Sequence, residues 1–133
     1  MPTEGSDRVT ETITTEQLKQ WVLAALEDLK AQDVQVLDVR KMTSITDLMI
    51  VASGTSDRHI KALADNVVES VKKHGVMPIG VEGETSREWV LVDLGDIILH
   101  VMHPQTRAFY NLEKLWTVGE ERTVAERSKG TTP

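Results

Sequence analysis

Two stripes of apolar residues at helical spacing, each followed by short β-rich runs, restrict this chain to one kind of layered architecture. In the first, Leu18, Trp21, Val22, Ala25, Leu26 and Leu29 recur along one helix face behind Thr14 and Gln17, which have the spacing of a capping box. In the second, Ile60, Leu63, Ala64, Val67, Val68 and Val71 form a stripe that ends at Lys72-Lys-His-Gly75. Basic residues and a glycine suit a helix C-terminus. Between the stripes lie Val34-Gln-Val-Leu-Asp-Val39 and the nearly continuous apolar run Asp47-Leu-Met-Ile-Val-Ala52, closed by Ser53-Gly54. After the second stripe come Pro78-Ile-Gly-Val81, Glu88-Trp-Val-Leu-Val-Asp-Leu94 and Ile97-Ile-Leu-His-Val-Met-His103, joined by Gly-containing turns, and residues 104–116 close as a helix.

The order α-β-β-α-β-β-β-α predicts an α/β (α+β) fold, a single mixed β-sheet of about five strands flanked by helices, not a doubly wound parallel one. No repeat, low-complexity stretch or Pro/Gly-rich linker divides the chain. One folded unit is expected over residues 14–117, between flexible polar tails at 1–13 and 118–133.

The 133 residues suffice for one core. No apolar run approaches the roughly 18 residues of a membrane span, and the first residues carry no signal or transit sequence, so a soluble, cytoplasmic protein is expected. With no cysteine, disulfides, thiolate zinc sites and cysteine nucleophiles are excluded. The formal net charge of -6 repels a nucleic-acid backbone and favours a basic partner, which argues against direct nucleic-acid readout.

Several separated segments share one pattern: Leu37-Asp-Val-Arg40, Ser44-Ile-Thr-Asp47, Ala52-Ser-Gly-Thr-Ser56, Glu82-Gly83, Trp89-Val-Leu-Val-Asp-Leu-Gly-Asp96, His100-Val-Met-His103 and Leu112-Glu-Lys-Leu-Trp116. In order and spacing the chain resembles the ribosomal silencing factor (RsfS, or Iojap) family from about residue 18 to Trp116. The resemblance implies a nucleotidyltransferase-like fold without catalytic residues. It further implies a protein that binds large-subunit ribosomal protein fourteen and sterically blocks subunit joining, repressing translation under nutrient limitation. Homodimers are common among isolated members of that family. The chain departs from many relatives at Leu48, Met49 and Leu94, where they carry aromatic residues; swaps among apolar residues are expected to repack locally.

Alternation along a strand puts Trp89, Leu91 and Asp93 on one face and Val90, Val92 and Leu94, the expected core, on the other. An indole, an apolar neighbour and a carboxylate make the mixture of an interface anchor flanked by a specificity charge. In the family resembled, this strand faces the ribosomal protein, and Glu82, His100 and Met102 are expected to assist. From Glu82 to Asp96 stand Glu82, Glu84, Glu88, Asp93 and Asp96 against Arg87 alone, a patch suited to a basic protein. The plainer alternative is a tryptophan packed under a loop with solvated acids around it.

The loop Ser53-Gly-Thr-Ser56 leads into a helix N-terminus, where backbone N–H groups can hold a phosphate, and this motivates a rival reading as a nucleotide-binding or nucleotidyltransferase-like enzyme. Such enzymes need carboxylates converging on magnesium, and no Asp-x-Asp or Asp-x-Glu falls on an expected strand. Capping by Ser56 or Asp57 explains the loop as well. Three residues apart on a strand, His100 and His103 point to opposite faces and do not chelate one ion, while His59 and His74 are fifteen positions apart on a helix. Neither catalytic residues nor a metal or other cofactor is expected. On the last helix Arg107, Tyr110, Glu113 and Trp116 recur at one-turn spacing, by default packing on the sheet, with a share in a partner contact as the alternative.

Overall fold

The computed structural model describes residues 13–85 and 88–110. Helix α1 (Thr15–Asp28) opens on a reciprocal capping box. The Gln17 amide donates to Thr14 Oγ1 at 3.0 Å, and the Thr14 amide donates to Gln17 Oε1 at 3.0 Å, so two otherwise orphaned donors are satisfied. Leu18, Val22, Ala25 and Leu26 are its buried face. Helix α2 (Asp57–Lys73) is capped by Ser56, whose Oγ accepts from the His59 amide at 3.0 Å. Asp57 in its first turn and Lys72 and Lys73 in its last complement the helix dipole. Its stripe Ile60, Leu63, Ala64, Val67 and Val71 is buried.

Five strands form one sheet: β1 (Gln32–Asp38), β2 (Leu48–Ser53), β3 (Gly80–Glu82), β4 (Trp89–Asp93) and β5 (Ile97–Met102). Their spatial order is β1-β2-β5-β4-β3, with β2 and β5 parallel at the centre and every other pair antiparallel. Helix α3 (Pro104–Tyr110) follows β5. The mixed sheet and the element order α-β-β-α-β-β-β-α agree with the sequence reading, and strand limits differ from it by at most two residues. The remainder of the last helix and the expected tails, residue 13 apart, lie outside the described residues.

The pleat divides the sheet's side chains into two sets. Leu48, Ile50 and Ala52, Val90 and Val92, and Ile97, Leu99 and Val101 join the buried faces of α1 and α2 in the main core. On the opposite face Val39, Met49, Val51 and Met102 make a second, smaller cluster, with Leu37 and Trp89 packed against it. All six residues of β2 are therefore buried, as its unbroken apolar run requires of a central strand covered on both faces. The edges are protected: β3 is three residues long, and β1 carries a register shift between Gln32 and Gln35, with Asp33 at φ 49. Leu48, Met49 and Leu94, the departures from the family pattern, are all buried.

Candidate docking face

The turn between β4 and β5 sets the site. The Leu94 amide donates to the Ile97 carbonyl at 2.9 Å, which closes a turn with Gly95 and Asp96 as its two central residues, and Gly95 takes φ 90. That turn fixes the register: Trp89 opposite Met102, Leu91 opposite His100, Asp93 opposite Ile98. Glu82 of β3 pairs with Leu91, and His100 with Val51 of β2. A row Glu82–Leu91–His100–Val51 thus crosses four strands, beside a second row Trp89–Met102–Ser53. Glu82, Trp89, Leu91, Asp93, His100 and Met102 all fall on the sheet face away from α1 and α2.

Exposure is graded across that face. Glu82 is exposed, Trp89, Leu91 and Asp93 are partly buried, and His100 and Met102 are 5% and 0% exposed. The β5 residues are the floor beneath the β4 residues. The indole Nε1–H donates to His100 Nδ1 at 2.9 Å, with ring centroids 5.8 Å apart and planes tilted by 52°. An indole N–H can only donate, so Nδ1 carries the lone pair and the neutral ring is protonated at Nε2. Burial disfavours the charged imidazolium and pushes the His100 pKa down to about 4. Nε2 is itself buried, and no described residue offers it a hydrogen-bond partner.

Asp93 turns back on its own chain, Oδ1 accepting from the Gly95 amide at 2.9 Å. Asp96 instead lies beside the start of α1, with Oδ2 3.4 Å from Thr15 Oγ1, whose closer acceptor is Asp47 Oδ2 at 3.1 Å. The carboxylates of Asp93 and Asp96 are thus engaged with different elements. Among the described residues no group of three or more His, Asp or Glu side chains is placed to hold a metal ion. Gly83, at φ +88, abuts the anchor strand: a Cβ there would stand 2.1 Å from the Trp89 carbonyl oxygen.

The loop before α2 is occupied by its own contacts. The Gly54 amide donates to the Met102 carbonyl at 3.1 Å, and the Thr55 amide to His59 Nδ1 at 2.9 Å. His59 Nε2 in turn lies 2.7 Å from the Leu29 carbonyl, tying this loop to the end of α1. Gly54 is required because a Cβ would come within 2.7 Å of the Ile60 side chain. These bonds make the loop a braced helix cap and take up two amides that a phosphate cradle would use.

Three further contacts were not legible in the sequence. His103 Nε2 meets Asp57 Oδ1 at 2.7 Å, while His100 faces Trp89, so the two histidines serve different elements. Arg107, buried, donates from Nη1 to Ser53 Oγ at 2.8 Å, the packing role expected by default. The side chain of Tyr110, and Glu113 and Trp116, lie outside the described residues. Trp21 stacks on His74 at 3.9 Å and 13°, joining α1 to the end of α2. Each links residues remote in sequence. Only the Trp89–His100 pair had a local signal, the two-residue turn that dictates which β5 residues lie beside Trp89.

What these features define is a small α+β domain with its two long helices on one sheet face and a partly apolar, acid-edged second face. The family model described as "Ribosomal silencing factor during starvation" matches residues 12–132. A ribosomal silencing factor RsfS of Chromobacterium violaceum is 46% identical over 101 residues, 76% of this chain and 83% of the relative. A crystal structure of a protein from the same organism superposes with a TM-score of 0.78 at 45% identity, covering 79% of this chain and 88% of that one. A mouse relative, "Mitochondrial assembly of ribosomal large subunit protein 1", is 36% identical over 100 residues, 73% of this chain and 44% of its own length. The chain belongs to the ribosomal silencing factor (RsfS, Iojap) family, whose named role is regulatory and not enzymatic. No helix among the described residues is long and apolar enough to cross a membrane.

Proposed function

We propose that this protein acts by occlusion: the second sheet face grips large-subunit ribosomal protein fourteen, and the bulk of the domain then stands where the small subunit would join. The observation that carries this reading is the register that gathers Glu82, Trp89, Leu91 and Asp93 on one face, over a floor of His100 and Met102. A half-buried indole over an apolar cluster, with carboxylates at its margin, has the composition of an anchor and its rim. The acids suit a basic ribosomal protein, and the family name supports a ribosomal target. The large subunit is also the structure named in the mouse relative.

Co-sedimentation with separated ribosomal subunits tests the reading. The wild-type chain should travel with the large subunit, and Trp89→Ala should lose most of that retention, on the order of a hundredfold in affinity for a central aromatic anchor. Equal recovery with both subunits, or undiminished binding by Trp89→Ala, would overturn it.

A further inference from the structure

We infer that His100 is a positioning residue of the docking face, one that touches no partner itself but holds the Trp89 indole in a single orientation through Nδ1. The inference rests on the docking reading above and assigns His100 a task different from that of a contact.

His100 is a costly residue for its position. It lies at the centre of the sheet face, paired with apolar Val51 on one side and apolar Leu91 on the other, and is 5% exposed. A leucine or valine would suit those neighbours and would bury no polar atom. Histidine instead buries Nε2–H without an acceptor among the described residues, a cost that an apolar residue in the same place avoids. Among the described residues the ring's hydrogen bond is the one accepted at Nδ1 from Trp89. A buried polar group that is only half satisfied calls for a reason, and here the satisfied half points at the anchor.

An indole on a sheet face samples several rotamers when its N–H is free to seek water. With Nε1–H fixed at 2.9 Å from Nδ1, Met102 opposite it on β5 and Gly83 close against its carbonyl, Trp89 is restrained at both side chain and backbone. The partner then meets a ring already ordered, and the ordering cost is removed from the binding step. The bond acts through the indole nitrogen, so an anchor without that nitrogen should be indifferent to residue 100.

The test uses the full chain. Nitrogen-15 NMR of the wild type at neutral pH should show His100 as the Nε2–H tautomer, with its Nδ1 accepting a bond from the Trp89 indole proton. In titrations against purified large ribosomal subunits, His100→Leu should bind about tenfold more weakly. His100→Asn, which can place an acceptor near the Nδ1 position, should return to within about threefold of wild type. In a Trp89→Phe background the same His100→Leu change should cost less than about twofold, since the coupled N–H is gone. An Nδ1–H tautomer in the wild type overturns the inference without any variant having to fold. So does full-strength binding by His100→Leu while Trp89→Ala is weak, and that result leaves the docking reading standing. Full-strength binding by Trp89→Ala removes both.

Discussion

Trp89 and His100 share one hydrogen bond, yet acidification acts on only one of them. Protonation would turn Nδ1 from acceptor to donor, and burial already holds the His100 pKa at about 4, against 6.5 for the free side chain. The unfolded chain therefore takes up this proton first as pH falls. His100's contribution to stability is complete above pH 6.5 and is lost between 6.5 and about 4, by roughly 3 kcal/mol at about 1.4 kcal/mol per pH unit. Urea unfolding across that range should show a steeper acid loss for the wild type than for His100→Asn. The left-handed Gly83 sets a different constraint. Gly83→Ala forces a Cβ against the Trp89 carbonyl, so it should destabilise by about 2 kcal/mol or more and shift the tryptophan fluorescence, both read in one denaturant titration.

Among the elements, the two long helices depend on caps that the sequence spells out locally. Thr14→Ala removes one half of the reciprocal box and should cost about 1 kcal/mol, seen as a lower thermal midpoint with unchanged retention on ribosomal subunits, because α1 lies on the far side of the sheet from the proposed docking face. Helix α3 depends on distant partners instead: its Arg107 reaches Ser53 at the end of β2, and His103 just before it reaches Asp57 at the start of α2. The loop from Ser53 to Asp57 is thereby held at both of its ends. This bracing is the physical reason that a strand-to-helix loop resembling a phosphate cradle serves here as a joint between α3 and the core.

At the scale of the whole molecule, a formal charge of -6 and an acidic margin around Trp89 bear on encounter more than on retention. In stopped-flow mixing with large ribosomal subunits, raising salt should slow association by roughly tenfold while changing dissociation by less than about twofold. The reverse pattern would mean that buried charge pairs, and not the apolar anchor, hold the complex. The main core and the Trp89 face occupy opposite sides of one sheet, so a substitution such as Leu63→Ala should lower stability by about 3 kcal/mol while leaving the Trp89 face in place.

The sequence by itself determined the element order, the cap at Thr14, a cap at Ser56 or Asp57, and the division of β4 into a core set and an outward set. These follow from periods and spacings within a few residues, where backbone geometry leaves little choice. The Gly95-Asp96 turn carried even the β4–β5 register, and with it the placement of His100 beside Trp89. Tertiary structure alone decided that β5 lies between β2 and β4 and that His100 and Met102 are floor and not rim. It also decided that Arg107, His103, His59 and His74 are spent on bracing. The physical reason is that burial and hydrogen-bond partnership belong to pairs of elements. No single strand or helix records which neighbour will cover it.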